Sequence, residues 1–425
     1  MEVIKYPPRE KWQKLLERPT FESTSLDSKV REVIEDVKKR GDEAVKEYSL
    51  KFDKVELTGL IVSDDEIKAA IHEVSEELKN SIEIAINNIQ KFHEAQKPAV
   101  IKVETSMGVE CWQKPIPITK VGLYIPGGTA PLFSTILMLA IPAKIAGCKE
   151  LVLCTPPGKN GKVNPAIVYV ASRIGIDKIF KIGGIQAIAS MAYGTESVPK
   201  VYKIFGPGNQ YVTAAKQMVS RDAVAIDMPA GPSEVAVVAD EQSNPVYVAS
   251  DLLSQAEHGA DSQVILFTDS ESFIEKLNVE LEKQLSILPK KEYATKSLEN
   301  SKTFLLKDKT EIMQMVNAYA PEHLILSTKD ADNLALQIVN AGSVFIGENT
   351  PESAGDYASG TNHTLPTHGW AKSYSGVNLD SFYKKVTFQK ISKEGLKIIG
   401  PAIENMAEAE ELIAHKRAVS LRLKD

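Results

Sequence analysis

The sequence predicts an α/β protein with two doubly wound parallel sheets, and three observations lead to this prediction. From Lys120 onwards, short apolar strands alternate with helices, a pattern typical of parallel sheets that carry helices on both faces. The alternation starts again after residues 228–234, which indicates a second unit of similar size. Three strands run into glycine-rich turns that open a helix. We therefore expect two incomplete Rossmann-like domains, an N-terminal helical arm and an extended C-terminal tail.

The chain has 425 residues, too many for one ordinary hydrophobic core, so we expect it to divide into several regions. Residues 1–22 are predicted to form the arm, and residues 124–234 one α/β domain. Residues 23–123 together with 235–377 are predicted to form the other domain, and residues 378–425 the tail. Only a small core could form from the tail alone, so the tail should dock on its own chain or on a partner.

The first hundred residues are predicted to be mainly helical. A short helix should contain Trp12, and a helical block should run from about residue 27 to residue 97. Within this block, Ser63 and Glu66 have the spacing of a capping box, in which the two side chains cap the start of a helix.

The strands of the two units are predicted from short apolar runs between turn residues. In the first unit we expect them at 121–125, 151–154, 179–182, 203–205 and 223–226. In the second unit we expect them at 235–239, 264–268, 303–306, 324–327 and 343–346. Residues 351–367 are polar and lack apolar periodicity, so they are predicted to form a functional loop. The tail should contain a β-like segment at 386–389 and two helices.

The composition argues against several classes of protein. The net charge is −6 and no basic stripe occurs, so nucleic acid is not an expected partner. We expect neither a signal peptide nor a membrane span, because the longest apolar run, 130–148, is interrupted by prolines and a lysine. The three cysteines, Cys111, Cys148 and Cys154, lack metal-ligand spacing, which favours a reducing, cytoplasmic location.

Three turns between a strand and a helix, at 126–128, 183–184 and 206–208, are candidates for binding a nucleotide. Glycine lets the backbone approach a ligand, and a helix N-terminus favours an anion. None of the turns has the usual Gly-x-Gly-x-x-Gly pattern, and each glycine could serve only the turn. Three residues at these turns, Tyr124, Gln186 and Asn209, could contact ribose or phosphate. Alternatively, Tyr124 could be a packing aromatic, Gln186 a surface amide and Asn209 a helix cap.

The stretch from Asp251 to Gly259 carries two candidate metal ligands. Asn244 is a suitable N-cap for a helix that should end near Gly259. Gln255 and His258 would then lie three residues apart on one helix face, where an amide oxygen and an imidazole can point at one cation. The alternative is a solvated amide beside a histidine that interacts with the helix C-terminus.

Two further donors lie far along the sequence, Asp356 in the polar loop and His415 in the last helix. With Gln255 and His258 they would make a nitrogen and oxygen donor set that suits Zn²⁺, or alternatively Mn²⁺ or Co²⁺. The sequence alone does not bring these four residues together.

Glu322 and His323 are the candidates for acid–base chemistry. They follow Pro321 and precede a strand, so both should lie at the rim of a sheet. A carboxylate beside an imidazole can move protons near neutral pH, although most single Glu-His pairs have no such role. His363 is interpreted as a residue that supports the polar loop.

Seven motifs, spread over essentially the whole chain, resemble those of the histidinol dehydrogenase family in the family's order. No departure occurs at a family functional position. The motifs are Gly122–Gly128, Phe205–Asn209, Asp227–Glu234, Ser254–Gly259, Pro321–Leu324, Ser353–His363 and Ala414–Lys416.

The resemblance implies a homodimeric enzyme that oxidises L-histidinol to L-histidine through L-histidinal with two NAD⁺, the last step of histidine biosynthesis. It implies one Zn²⁺ per subunit. Most of the metal and substrate site would lie in the domain formed by residues 23–123 and 235–377, and NAD would bind to the other domain. The tail, with His415 and Glu410, would reach into the partner subunit.

The resemblance also implies a role for each candidate residue. Glu322 and His323 would be the catalytic bases. Zinc would be held by Gln255, His258, Asp356 and His415. The substrate would contact these four ligands together with Ser233, His323 and Glu410. NAD would lie against Tyr124, Gln186 and Asn209.

The residues alone leave other classes of protein open. A dehydrogenase of another amino alcohol could use the same scaffold. A zinc hydrolase would use Glu322 to activate water and would turn over without NAD⁺. A non-catalytic binding protein would contain no stoichiometric zinc.

Overall fold

The computed structural model describes residues 1–18, 24–127, 130–229 and 231–424. Residues 19–22 of the predicted arm and Gly128 of the first glycine turn lie outside the described residues. The strands are β1 (Glu2–Lys5), β2 (Ile101–Ser106), β3 (Val109–Pro117), β4 (Lys120–Tyr124), β5 (Glu150–Thr155), β6 (Lys178–Lys181), β7 (Lys203–Phe205), β8 (Ala225–Ile226), β9 (Glu234–Ala239), β10 (Gln263–Thr268), β11 (Lys302–Leu305), β12 (His323–Ser327), β13 (Ser343–Ile346) and β14 (Tyr383–Ile391).

Helices connect most of these strands. The α-helices are α1 (Arg9–Leu15), α2 (Thr24–Arg40), α3 (Asp42–Tyr48), α4 (Asp64–Glu73), α5 (Glu76–Glu94), α6 (Phe133–Ala146), α7 (Pro165–Ile174), α8 (Gly184–Tyr193), α9 (Gln210–Val219), α10 (Pro245–Ala256), α11 (Glu271–Ile287), α12 (Lys291–Glu299), α13 (Lys309–Tyr319), α14 (Ala331–Ala335), α15 (Glu352–Tyr357), α16 (Lys393–Ala409) and α17 (Ile413–Lys424). A π-helical turn follows α3 (Ser49–Asp53), and two 3-10 turns precede β14 (Trp370–Lys372 and Leu379–Phe382). The capping box predicted at Ser63 and Glu66 opens α4.

Two parallel sheets confirm the predicted α/β class. One has five strands in the order β6-β5-β4-β7-β8, and the other has six in the order β1-β11-β10-β9-β12-β13. The edge strand β1 was not predicted, because it is formed by the first residues of the arm. It pairs with β11, with Glu2 opposite Lys302.

A small antiparallel sheet, in the order β14-β3-β2, was also not predicted as a sheet. The β-like segment of the tail lies within β14, which pairs with β3 from Tyr383 to Ile391. This pairing fixes the start of the tail to the body of the chain. Helices α16 and α17 follow and pack mainly on each other.

Helices cover both faces of each parallel sheet. Helices α2 and α3 pack with α8 and α9 on one face of the five-stranded sheet, and α4 and α5 pack with α6 and α7 on the other. The six-stranded sheet has α10 to α12 on one face, and α1 and α13 on the other. The predicted division grouped residues 23–123 with 235–377, whereas α2 to α5 pack against the five-stranded sheet. The domain boundaries themselves stay a prediction.

The longest apolar run of the sequence forms most of α6, which lies in the core between α5 and α7. Within the described ranges, no helix combines the length and the apolar character that crossing a membrane requires.

A buried ion pair supports the turn after β7. Lys216 Nζ lies 2.5 Å from Asp227 Oδ1, and both side chains are almost fully buried. Lys216 also donates to the carbonyl oxygen of Gly206 at 2.8 Å, and the Gly206 N–H donates to Asp227 Oδ2 at 2.9 Å. The pair therefore clamps the backbone of Gly206 from both sides. A side chain at Gly206 would collide with the backbone of Tyr124, since an added Cβ would lie 2.0 Å from the Tyr124 oxygen.

We expect Lys216→Met to destabilise the protein by about 3–5 kcal/mol, because it leaves the Asp227 carboxylate buried without a counter-charge. Urea unfolding followed by fluorescence measures this change. The control is Lys178→Met, which removes the partly exposed ion pair with Glu150 and should change stability by about 1 kcal/mol or less. A loss for Lys216→Met no larger than that of the control would contradict the role of the buried pair.

Candidate active site

A cleft of about 360 Å³ lies between the two parallel sheets. The turn after β7 lines one side with residues 206–209, and the segment 231–233 before β9 lines the other together with Glu322. The five-stranded sheet thus contributes the carboxyl end of a strand, and the six-stranded sheet contributes the amino ends of β9 and β12. His258, Tyr357 and His363 complete the wall near Glu322.

Glu322 and His323 lie at the start of β12, as predicted, and both side chains are buried. The N–H of Glu234 donates to Glu322 Oε2 at 2.8 Å, and His323 Nδ1 lies 3.1 Å from the Glu234 carbonyl oxygen. A carbonyl only accepts, so Nδ1 carries the proton and Nε2 is the free basic nitrogen. His323 Nε2 has no hydrogen-bond partner and lies 3.8 Å from Asp356 Oδ1.

Burial shifts the pKa values of this pair in opposite directions. It lowers the pKa of His323 to about 3, so the imidazole is neutral near pH 7. It raises the pKa of Glu322 well above the ordinary value, and the nearby carboxylates of Glu234 and Asp356 add to the rise. The neutral imidazole keeps a free lone pair on Nε2, and the Glu322 carboxylate, when ionised, binds a proton more strongly than that of an exposed glutamate.

Glu352 is a site residue that the sequence did not reveal. Helix α15 carries Glu352 and Asp356 four residues apart, and both face His323. Ligand atoms of the three side chains all lie within 4.8 Å of one another. Glu352 is 1 % exposed, and its Oε2 has no partner. The only signal in the sequence is the i, i+4 spacing inside a segment that looked like a loop.

The carboxyl groups of this cluster are held in an unfavourable environment for charge. Burial raises the pKa of Glu352 well above its ordinary value, and Asp356, Glu322 and Asp251 raise it further. Burial also raises the pKa of Asp356 to about 7. A cation placed among these groups would favour their ionised forms.

Helix α10 confirms the predicted N-cap at Asn244 but ends at Ala256, two residues before the expected end at His258. The prediction that Gln255 and His258 share a helix face is therefore wrong. The N–H of His258 donates to the Gln255 carbonyl at 3.2 Å, so His258 lies in the turn that follows the helix. The His258 side chain is exposed at the cleft. The surrounding protein nevertheless removes part of the water around the ring, and this desolvation lowers the pKa of His258.

The Gln255 side chain is buried against Glu352 and Glu234. With its nitrogen toward Glu352, the amide donates to Glu352 Oε1 at 2.6 Å and accepts from the Glu234 N–H at 2.9 Å. In the opposite orientation, the amide oxygen faces Glu352 Oε1 at that same short distance. This second orientation is favourable only when a cation or a proton lies between the two oxygens.

His363 supports the polar loop, in agreement with its interpretation from the sequence. Its Nδ1 donates to the Asp356 carbonyl oxygen at 2.9 Å, and its Nε2 lies 3.1 Å from the Thr135 hydroxyl. Burial lowers the pKa of His363 to about 4, so this ring is also neutral. The ring holds the end of α15 against α6.

The remaining predicted residues lie in three places: at the cleft, in the core near the turn at 183–184, and on the tail. Ser233 and Asn209 line the cleft, and the Asn209 side chain caps α9. Tyr124 is buried, and its hydroxyl accepts from the Gly184 N–H at 3.1 Å. Gln186 is fully buried with no partner for either amide atom. Glu410 and His415 are exposed on the tail and are not among the described residues that line the cleft of this chain.

Two cysteines near the five-stranded sheet are unsuited to nucleophilic chemistry. Cys148 and Cys154 are buried free thiols, and burial raises the pKa of each, in Cys148 to about 12. A thiol with such a pKa stays protonated near neutral pH.

Comparison with known proteins relates the whole chain to one family. The family profile described as histidinol dehydrogenase matches residues 16–423. Histidinol dehydrogenase from Bacteroides thetaiotaomicron is 62% identical over 423 residues, which cover 100% of this chain and 99% of that protein. The Escherichia coli K12 enzyme of the same name is 52% identical over 417 residues, which cover 97% of this chain and 95% of that protein. The crystal structure of histidinol dehydrogenase from Elizabethkingia anophelis superposes with a TM-score of 0.97 at 55% identity, covering 100% of this chain and 98% of that one.

We expect Glu352→Gln to stabilise the chelator-treated protein, and to do so more strongly as the pH rises. A carboxyl whose pKa is raised by folding lets the folded state keep a proton that the unfolded chain releases above its ordinary pKa of about 4.3. Its contribution to stability is therefore present at low pH and is lost as the pH rises. Thermal unfolding of the variant and the parent at about pH 5 and about pH 8 measures the difference.

The matched control is Glu348→Gln, at an exposed position four residues earlier. Its unfolding temperature should differ from that of the parent by the same amount at both pH values. An effect of Glu352→Gln that is the same at both pH values would contradict the unfavourable placement of the Glu352 charge.

Proposed function

The chain belongs to the histidinol dehydrogenase family, and we propose that it carries out the full four-electron oxidation of L-histidinol to L-histidine with zinc and two NAD⁺. That it is an oxidoreductase acting on histidinol in histidine biosynthesis follows from the family itself. The proposal concerns the metal, the cofactor and the role of each residue. The observation that carries it is the buried cluster of carboxyl groups around the free Nε2 of His323.

The residues of the cluster fit a divalent cation. Glu352 Oε2 is buried without a partner, and the Gln255 amide can present its oxygen toward Glu352. Such unpaired buried atoms are unfavourable unless something else satisfies them. The available donors are imidazole nitrogen and carboxylate and amide oxygens, which suit Zn²⁺ and also Mn²⁺ or Co²⁺.

We propose that Gln255, His258 and Asp356 hold the zinc ion together with His415 from a second copy of the chain. Glu410 of that copy would contact the substrate. The exposed position of both residues on the tail supports this assignment. Several apolar side chains of α16 and α17 are also exposed, as expected of a surface that packs against another subunit: Ile398, Met406, Ile413 and Leu421. When bound, the zinc ion would supply positive charge to the carboxyl cluster and an attachment point for the imidazole and amine of histidinol.

In the first half-reaction, His323 would act as the general base. The alcohol carbon loses a hydride to NAD⁺, and the alcohol oxygen loses its proton to Nε2, which gives L-histidinal and NADH. The hydrogen bond from Nδ1 to the Glu234 carbonyl holds the tautomer in which Nε2 can accept. Because burial keeps the ring neutral, Nε2 is available near pH 7.

In the second half-reaction, Glu322 would act as the general base. It takes a proton from water as the water oxygen bonds to the aldehyde carbon, which gives the anion of the aldehyde hydrate, with the negative charge on the former carbonyl oxygen. This anion then loses a hydride to a second NAD⁺, and the carboxylic acid forms. Glu322 lines the cleft, and its raised pKa makes its carboxylate a stronger base than an exposed glutamate.

We propose that NAD⁺ binds on the side of the cleft formed by the turn at 206–209. Asn209 lies in this turn at the N-terminus of α9, where an anion is favoured. Tyr124 and Gln186 lie next to the turn at 183–184, which follows β6 in the same sheet, and the two unpartnered amide atoms of Gln186 would be available to a nucleotide if that turn opened. We also propose that the enzyme acts in the cytoplasm as a homodimer.

An assay of NAD⁺ reduction with L-histidinol, with and without a chelator, tests the proposal as a whole. We expect two NADH per L-histidine formed and loss of activity on zinc removal. Turnover without NAD⁺ would favour a zinc hydrolase, and a preference for another amino alcohol would favour a related dehydrogenase.

We expect Glu322→Gln to slow the oxidation of L-histidinal by about 10²–10⁴-fold, the usual contribution of a general base, and to slow the alcohol step far less. Single-turnover measurements that start from L-histidinol or from L-histidinal separate the two steps. Metal analysis serves as the control, since the variant should retain its zinc. Equal slowing of both steps would contradict the assignment of water activation to Glu322.

We expect a mixture of inactive His415→Ala and His258→Ala subunits to recover activity. In a mixed dimer, one site would combine an intact body with an intact tail, and the other would carry both defects. Complete exchange should therefore restore about one quarter of the parent activity.

The control mixture combines His258→Ala with Glu322→Gln, which both damage the body of the subunit and should not complement. If heterodimers of the first mixture form and stay inactive, His415 does not act across the dimer.

A further inference from the structure

An arginine of the N-terminal arm reaches β9, the strand next to the one that begins with Glu322 and His323. Arg18 Nε lies 2.7 Å from Glu234 Oε1, and its Nη2 lies 2.8 Å from Glu234 Oε2, so the two side chains form a bidentate ion pair. The side chain of Arg18 is 11 % exposed and that of Glu234 is 3 % exposed. Bidentate pairs of this kind have a defined geometry as well as a favourable energy.

Additional contacts fix both partners. Arg18 Nη2 also donates to the carbonyl oxygens of Tyr319 at 2.9 Å and Ala320 at 3.3 Å. The guanidinium carbon lies 3.9 Å from the centroid of the Tyr319 ring, in a cation–π arrangement. The N–H of His368 donates to Glu234 Oε1 at 2.8 Å. A lysine could not make this set of planar, divergent bonds.

The backbone of Glu234 is the common partner of Glu322 and His323. The pairing of β9 with β12 begins with Val235 opposite His323, so the Glu234 peptide lies one residue before the first backbone pair. Its N–H and C=O bond to side chains instead, the N–H to the Glu322 carboxylate and the C=O to the His323 ring. The backbone of Glu234 on either side of its Cα therefore sets both the Glu322 carboxylate and the His323 tautomer.

We propose that Arg18 is a positioning residue for the oxidation, and that it acts through Glu234. By holding the Glu234 side chain, Arg18 fixes the two backbone groups of Glu234, the N–H that orients Glu322 and the C=O that keeps the proton of His323 on Nδ1. Arg18 touches neither the cleft lining nor the reacting groups. This inference rests on the proposed roles of Glu322 and His323.

The test compares the two half-reactions in Arg18→Met. We expect kcat to fall by about 10–100-fold in both half-reactions, because both bases lose their orientation. A small misplacement of a catalytic group strongly lowers the rate. The KM for L-histidinol and the zinc content should stay close to those of the parent, since the proposed metal ligands are untouched. Arg18→Lys keeps the charge without the bidentate geometry and should show an intermediate kcat, which also covers the case in which Arg18→Met does not fold.

The matched control is Arg9→Met, which removes another arginine of the arm that contacts Trp12 and Gln314 but not Glu234. Its kcat should equal that of the parent. A lower unfolding temperature for Arg18→Met with an unchanged kcat would show that Arg18 only stabilises the fold, and would overturn the proposal.

The double variant Arg18→Met/Glu322→Gln shows whether Arg18 acts through Glu322. If it does, the double variant oxidises L-histidinal no more than a few-fold more slowly than Glu322→Gln alone. Independent effects would multiply to the full product of the two single losses, and this result would overturn the proposal. Glu322→Gln alone reports separately on the proposed catalytic roles, so the two failures are distinguishable.

Discussion

The site depends on one constraint, the burial of several carboxyl groups around a neutral imidazole. Glu322, Glu352 and Asp356 converge on His323, and no lysine or arginine of the described residues forms an ion pair with any of the three. An arrangement of this kind is unfavourable for a folded chain by itself, and a bound divalent cation would offset it. The same burial keeps His323 neutral and makes Glu322 a stronger base, so the chemistry and the instability have one physical origin.

The fold creates this cluster by bringing opposite ends of two sheets together. The turn after β7 stands at the carboxyl end of a strand, where parallel sheets usually bind ligands. The six-stranded sheet faces it with the amino ends of β9 and β12, and the end of α10 returns to the same side. The acid–base pair therefore lies across the cleft from the glycine turn, which leaves room for a substrate between them. The short helix α15 closes the cluster with two carboxyl groups from one face.

Much of the fold could be predicted from the sequence because it is encoded locally. Most strands of the two parallel sheets begin and end within one or two residues of their predicted limits, since they are short apolar runs between turn residues. Glu322 and His323 were identifiable as a pair at a strand end. The antiparallel sheet was not predictable, because β2 is largely exposed and β14, which pairs with the other edge of β3, lies more than 260 residues further along the chain. The sequence did not identify Glu352 or Arg18 as site residues for the same reason, since their importance comes only from tertiary contacts.

The position of the arm has a consequence for the order in which the protein forms during synthesis. Strand β1 has no partner until β11 at residues 302–305 has been made, and Arg18 has none until Glu234 has left the ribosome. Contacts between such distant residues form slowly, because a long loop must close first. The five-stranded sheet, whose strands all lie between residues 120 and 226, can assemble before the partners of the first eighteen residues have been synthesised. A nascent chain would thus complete its five-stranded sheet before the surroundings of Glu322 and His323 become ordered.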